Sequence, residues 1–385
     1  MSIAAPPRPR PPRADDAEAL IREARQRQQR RRRRIFVLLL SITALVAVSG
    51  TYVVSDHTGW NRRAPGLNIP GAIAAPSPGL VYGTATGYTA SIWHARVDGG
   101  EPRRIARGSS PMLSPDGRWV AFVRTSQNPS RSELLLISST GGSTGVLQRV
   151  EGEFLDTPVW APDSRHLVSV NDGGPTKNGG LTLIDIASGM RKLFAPGQRG
   201  AGVGSPSFSP DGLEIVYSRF DQTGADLEVY DGTSSQTRQI SHDHDAFDPI
   251  WGPTWIAYNH AGYNHRGDVW LVRADGRGAH RLTHTDARIF PVAWSQDGKR
   301  LLAANPAMHN GRLWAVDVAS GRARDLTGWV GDLFPQGLSR DGKTVLAAIG
   351  CGGSVSAYGT VETLPFAGGK PKLIAEGPCR ASWNS

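Results

Sequence analysis

From residue 79 to its end, the chain alternates short apolar–polar runs with clusters of Gly, Pro, Asp and Ser. A period of two broken by turn formers predicts β-strands joined by tight turns. One complete unit shows the plan. Pro111–Ser114 predicts a first strand, Trp119–Arg124 a second, Glu133–Ser138 a third and Val146–Val150 a fourth. The first two are joined by Ser114-Pro115-Asp116-Gly117, in which Pro presets φ, Asp bonds back to the backbone and Gly accepts a positive φ. A Gly-rich hairpin, here Gly141-Gly142-Ser143-Thr144-Gly145, joins the third strand to the fourth.

The turn returns as Ala161-Pro162-Asp163-Ser164, Ser209-Pro210-Asp211-Gly212, Gly252-Pro253, Ser295-Gln296-Asp297-Gly298 and Ser339-Arg340-Asp341-Gly342, with a truncated copy at 381–385. Measured at the Pro position, the marks fall at 115, 162, 210, 253, 296, 340 and 385, a period of 43 to 48 residues. That is the size of one four-stranded propeller blade. No amphipathic helix of useful length lies between 79 and 385, so the expected class is all-β. Residues 80–107 supply three strands (Leu80–Thr84, Ser91–Val97, Pro102–Ala106) without a first, and 381–385 supplies a first strand without successors. An open sheet edge is a pairing hazard. The expectation is therefore a seven-bladed β-propeller in which the C-terminal strand completes the first blade, with a six-bladed ring and one irregular blade as the alternative.

The Pro-x-Trp-Ser-Pro-Asp-Gly unit, followed by an apolar-Ala-Phe strand, resembles the repeat of TolB-like β-propellers, relatives of the WD-repeat proteins, over about 79–385. The namesake of that family has a six-bladed ring and an extra N-terminal domain, so a role in the Tol system is not expected to carry over. The unit also resembles the propeller of prolyl-oligopeptidase-type peptidases, but no pattern of their α/β-hydrolase domain is found. The resemblance implies a ring whose face binds a ligand. One group of seven-bladed relatives comprises metal-assisted lyases of acidic oligosaccharides that use His from such a face.

The net charge of +9 is carried mostly by residues 1–34, where eleven Arg face four acids. The remainder has little excess to offer nucleic acid, so no nucleic-acid partner is expected. Ile35–Val54 is an uncharged run of twenty residues, long enough to span a bilayer. The Arg cluster before it places the N-terminus in the cytoplasm and the propeller outside, as a single-pass protein of the bacterial plasma membrane. The alternative is a signal peptide cleaved near Ala47-Val48-Ser49 and a secreted product. On the first reading, 1–34 is a disordered cytoplasmic tail, 35–54 a transmembrane helix, 55–78 a linker and 79–385 the propeller. Cys351 and Cys379 suit a disulfide in an exported protein, pinning the closing strand and worth ~3 to 4 kcal/mol by loop entropy; two free thiols are the alternative.

The G-x-S-x-G match at 141–145 falls in a hairpin where other repeats also carry Gly, not at the strand-to-helix elbow that nucleophilic Ser requires. The histidines are more informative. Six of ten lie between 242 and 284. By propeller topology His242 and His244 fall in a crossover between blades, and His260, His265 and His309 in loops joining second to third strands, all opening on one face. His-x-His in an extended segment puts both rings on one side, so His242 and His244 are the candidate metal pair, with Asp245, Asp248 and Asp268 as available oxygens. Against this, His242 aligns with His284 and Gly328 in the repeat, which makes it partly a repeat position. Trp160, Trp251, Trp294 and Trp383 share one strand slot and read as packing between blades, whereas Trp329 lies in a crossover and is a ligand candidate. The candidate binding set is thus His242, His244, His260, His265, His309 and Trp329; no cofactor is expected, with a metal ion on His242 and His244 as the alternative. A binding scaffold for a protein or cell-envelope ligand is expected. The alternatives are a metal-dependent polysaccharide lyase or hydrolase, and a transmembrane sensor.

Overall fold

The computed structural model describes residues 79–84, 90–127, 130–173, 179–198, 201–260, 267–284, 289–305, 311–327, 333–339, 341–349, 359–376 and 378–383. The tail, the apolar run and the linker expected over 1–78 lie outside them. Among the described residues no helix is long and apolar enough to cross a membrane.

Seven four-stranded antiparallel sheets make up the described chain, each a blade. Six are consecutive in sequence. Blade one instead takes Pro378–Trp383 as its first strand, followed by Gly79–Thr84, Ser91–Arg96 and Arg103–Arg107. In that sheet Leu80 stands opposite Trp383 and Tyr82 opposite Ala381. The first strands of neighbouring blades touch one another, so they lie innermost. The strands expected in the second repeat are found, but longer: Trp119–Gln127 and Ser130–Ser138 form its central pair.

Each blade buries both faces. The apolar side chains fall into seven clusters, each shared by two adjacent blades: Leu80, Tyr82 and Ala95 of blade one meet Leu346 and Val361 of blade seven. On its other side, Val81 and Ile92 of blade one meet Leu113, Val120 and Phe122 of blade two. This is why central strands lose the polar alternation of a one-sided sheet; Gly180–Asp185 is buried at every position. Outer strands, with one face and one edge in water, shorten to Thr237–Gln239, His280–Arg281 and Ala323–Asp325 in blades four to six.

The repeated turn is a hydrogen-bonded cassette. Ser114 Oγ donates to Asp116 Oδ1 (2.6 Å) and accepts from the Trp119 N–H (2.9 Å), while Asp116 Oδ1 accepts from the Arg118 N–H (3.0 Å). The same bonds recur around Ser209–Asp211 and Ser339–Asp341. Gly117 closes the turn at φ 73°. In blade three Ala161 lacks the hydroxyl, and the imidazole of His166 bonds Asp163 instead, Nδ1 to Oδ2 at 2.6 Å. Blades are stapled to each other at the slot shared by the Trp residues. Trp160 Nε1 donates to the Met112 carbonyl (3.0 Å) and Trp294 Nε1 to that of Ile250 (3.1 Å), each reaching the preceding blade. Ser207 and Ser382 occupy one repeat position, and each hydroxyl accepts a backbone N–H of the next blade's first strand, from Trp251 and Leu113 respectively.

Blade five, which lost the Asp-Gly turn, also carries Gly252 in place of the leading Ser, and that change has a packing reason. A Cβ on Gly252 would lie 2.5 Å from the Trp294 ring, so the Ser found in other copies does not fit. The turn is held by the Gly252 N–H on the Trp255 carbonyl (2.9 Å), and Trp255 lies beneath the Arg273 guanidinium (4.7 Å). Gly252→Ser restores the repeat's commonest residue and is nevertheless expected to destabilise by about 1–3 kcal/mol in urea unfolding. Trp294→Leu in the same chain should recover part of that loss; a neutral Gly252→Ser would refute the packing account.

The substitute bond in blade three carries a pH signature. The Asp163 hydrogen bond holds the His166 imidazolium favoured, above the usual histidine range, against burial. Burial pushes the Asp163 carboxyl up, but bonds from His166 and the backbone N–H groups of His166 and Arg165 outweigh it and leave it below the usual range. The pair's contribution is thus full below the unfolded histidine value of about 6.5 and fades as pH rises through the raised His166 value; at the acid end it is lost as pH falls through the lowered Asp163 value. His166→Gln is expected to remove the neutral-to-alkaline part of that dependence, read as the urea midpoint across pH.

Candidate functional site

Because strands alternate in direction, the loops joining second to third strands and the crossovers between blades emerge on one face, and the repeated turns on the other. The candidate histidines belong to the first. The crossover from blade four to blade five, residues 240–246, begins with Ile240 buried at the end of the fourth strand and ends with Ala246 buried at the start of the next blade. Between them His242, Asp243 and His244 are exposed.

This segment is not extended throughout. It bends at Asp243 and His244, and His244 sits at φ 58°, a left-handed conformation uncommon for a residue with Cβ. Two side-chain bonds hold the bend, one to each blade. On the blade-four side, His244 Nδ1 contacts Asp226 Oδ2 (2.8 Å), while Asp226 Oδ1 accepts from the His244 N–H (3.2 Å) and from Ser241 Oγ (3.0 Å). On the blade-five side, His260 Nε2 contacts Asp243 Oδ2 (2.8 Å), and the imidazole stacks on Trp270 with centroids 4.5 Å apart. Beneath them Tyr258 is almost fully buried; burial first, and the Asp243 charge second, push its phenol up, so it stays protonated. The strained bend is therefore clamped at both ends, which presents its outward side chains in one arrangement.

His244 and His260 are thus brought into one network with Asp226, Asp243, Ser241 and Trp270, and His242 stands exposed beside it. Two of the three acids proposed as extra ligands, Asp248 and Asp268, are held elsewhere. Asp248 accepts from Ser205 Oγ (2.6 Å) on the neighbouring innermost strand, and Asp268 is held by Arg281 (2.5 Å) and Thr283 (3.1 Å). Among the described residues no group of three or more His, Cys, Asp or Glu is arranged to hold a metal ion. His265, His309, Trp329 and Cys351 lie outside the described residues, as does the side chain of Cys379, which falls in the first strand of blade one.

Asp226 was missed by sequence reasoning, although the repeat contains the signal. Asp226 with Ser241 and Asp268 with Thr283 stand at equivalent positions, and in both the hydroxyl bonds the acid and accepts the next backbone N–H. The acid is a scaffold residue to which His244 has been added.

No family model matches the chain. The uncharacterized peptidase YuxL of Bacillus subtilis is 26% identical over 169 residues, 34% of this chain and 25% of that protein. The Tol-Pal system protein TolB of Francisella tularensis is 22% identical over 288 residues, 57% of this chain and 64% of that protein. The match thus spans less than two thirds of either relative's length. Among solved structures, the β-propeller domain of the trilobed protease from Pyrococcus furiosus, which has an open velcro topology, aligns with a TM-score of 0.60 at 15% identity, covering 79% of this chain and 95% of that one. An oligogalacturonate lyase in complex with manganese aligns with a TM-score of 0.56 at 14% identity, covering 78% of this chain and 86% of that one. At these identities the likeness is one of fold, and the fold is a seven-bladed, TolB-like β-propeller.

Proposed function

We propose that the chain is a membrane-anchored, extracytoplasmic propeller that acts as a binding scaffold at the bacterial cell envelope, with a protein partner on the crossover face of blades four and five. The observation that carries this reading is the doubly clamped bend at 241–245. Ordering entropy is a main cost of association, and a loop already fixed by the Asp226 and His260 contacts loses little on binding. The likeness to a Tol-Pal system protein supports an envelope setting. The apolar run Ile35–Val54 supplies the anchor.

A photo-crosslinking residue at position 242 in the intact cell is expected to give discrete protein adducts. The same residue at position 213, exposed on the turn face, is expected to give none. Asp226→Asn combined with His260→Ala should weaken adduct formation at 242 by about five- to tenfold through lost pre-organisation while the ring stays folded. Adducts at both positions alike would overturn the assignment.

The enzymatic alternative rests on the manganese-bound lyase that shares the fold. Metal analysis of the full chain beside the His242→Ala/His244→Ala variant separates the two. The scaffold reading expects no stoichiometric metal in either; bound metal that disappears in the double variant would establish a metal centre and move the assignment toward the lyase.

A further inference from the structure

A cluster of cations lies on the turn face where the chain enters the propeller. The described propeller begins at Gly79, and because Leu80 pairs with Trp383 this end of the strand lies on the turn face. Around it, the hairpin of blade one and the fourth strand of blade seven come together: a Cβ on Gly99 would lie 2.9 Å from the Ile374 carbonyl. Asp98, held low first by the Gly100 N–H and then by Arg96, also feels the charge of Lys372. Arg96 contacts both acids of this hairpin, Asp98 at 3.4 Å and Glu101 at 3.9 Å. That leaves Arg103, Arg104, Lys370 and Lys372, all exposed and none forming an ion pair with a described residue. Two of the few exposed large aliphatic side chains, Val97 (39% exposed) and Leu373 (50%), lie among them. The crossover-side loops and strand ends of blades three to five instead carry Asp156, Asp172, Asp221, Asp243, Asp245 and Asp248.

We propose that this basic–aliphatic patch of blades seven and one seats the propeller on an anionic lipid bilayer, turn face down, so that the crossover face points away from the membrane. Cations attract the anionic headgroups, Val97 and Leu373 enter the interfacial zone, and the crossover-side carboxylates of blades three to five disfavour the inverted orientation. A patch of this size works only near the surface, since the attraction decays within a Debye length. The tether brings the patch within reach of the surface, because residues 55–78, between the apolar run and Gly79, span roughly 25–30 Å root-mean-square as a flexible chain. The orientation rests on the membrane-anchored reading above and deepens it by leaving the clamped site open to a partner.

The test uses the full chain with a protease site placed in 55–78. After incubation with vesicles of phosphatidylcholine, with or without phosphatidylglycerol, the linker is cut and the propeller that sediments with the vesicles is measured at low and high salt. Retention on phosphatidylglycerol vesicles at low salt only is expected. Arg103→Gln, Arg104→Gln, Lys370→Gln and Lys372→Gln together should weaken it roughly 600-fold, at roughly fivefold per charge. Val97→Ser with Leu373→Ser should weaken vesicle binding but leave binding to polyglutamate unchanged. All six side chains are exposed, and near-ultraviolet circular dichroism of each variant checks that the ring is intact. Equal retention on neutral vesicles, wild-type retention by the four-Gln variant, or insensitivity to the aliphatic changes would each overturn the proposal. Sedimentation of the uncut chain with neutral vesicles reads the anchor separately, so failure of one reading is not mistaken for failure of the other.

Discussion

Burial of each sheet between two neighbours is the constraint on which the rest of this structure depends. There is no single core. Seven apolar layers, each contributed by two adjacent blades, hold the described ring, and every sheet supplies residues to two of them. A four-stranded sheet in water would leave both of its apolar faces exposed, so no blade is stable by itself. This explains why blade one recruits its first strand from the far end of the chain. The entropy of closing a long loop grows only slowly with its length, whereas a missing innermost strand would strip cover from Leu80 and Tyr82 on one side and from Leu113 on the other. The hydroxyl of Ser382, bonded to the Leu113 N–H, makes the same inter-blade contact as Ser207 with Trp251, although its strand arrives from the opposite terminus.

The turn pattern and the period were legible because they are local. Pro, Asp and Gly act within four residues, and seven marks in register define a blade without any tertiary information. The Ser of the turn was less legible. Its role, accepting the N–H five residues on, appears only once the next strand is in place. Strand ends in blade two were underestimated for a similar reason: Thr125, Ser126 and Gln127 carry no apolar signal and are held in the strand by pairing with Ser132, Arg131 and Ser130. The Gly at the Ser position of the blade-five turn could be seen but not interpreted, because the Trp294 ring packed against it comes from the following blade.

The candidate site shows the same boundary. His242, His244 and His260 were identifiable as a cluster on one face, since topology alone fixes which loops share a face. Their partners were not, because Asp226 lies 18 residues before His244 and Asp243 lies 17 before His260, spacings that only the inter-blade geometry brings into contact. The assumed extended His-x-His segment is also replaced by a bend. Backbone conformation at an irregular crossover is decided by what clamps it, and those groups belong to two different sheets.

Repetition therefore divides the labour between the two faces. On the turn face each blade must reverse direction within a few residues beside an identical neighbour, which favours one cassette and leaves little room for novelty; even the exception, Gly252, answers to packing. On the crossover face the chain is constrained only where it leaves one buried strand and enters the next, as Ile240 and Ala246 do. The residues between are free to differ from blade to blade once their ends are fixed. A rigid ring can then hold a strained, exposed bend such as His242–His244 at modest cost, because the strain is borne by contacts to two sheets already committed to their neighbours. Recognition built this way needs no flexible lid and no separate domain, only side chains placed where the repeat stops dictating them.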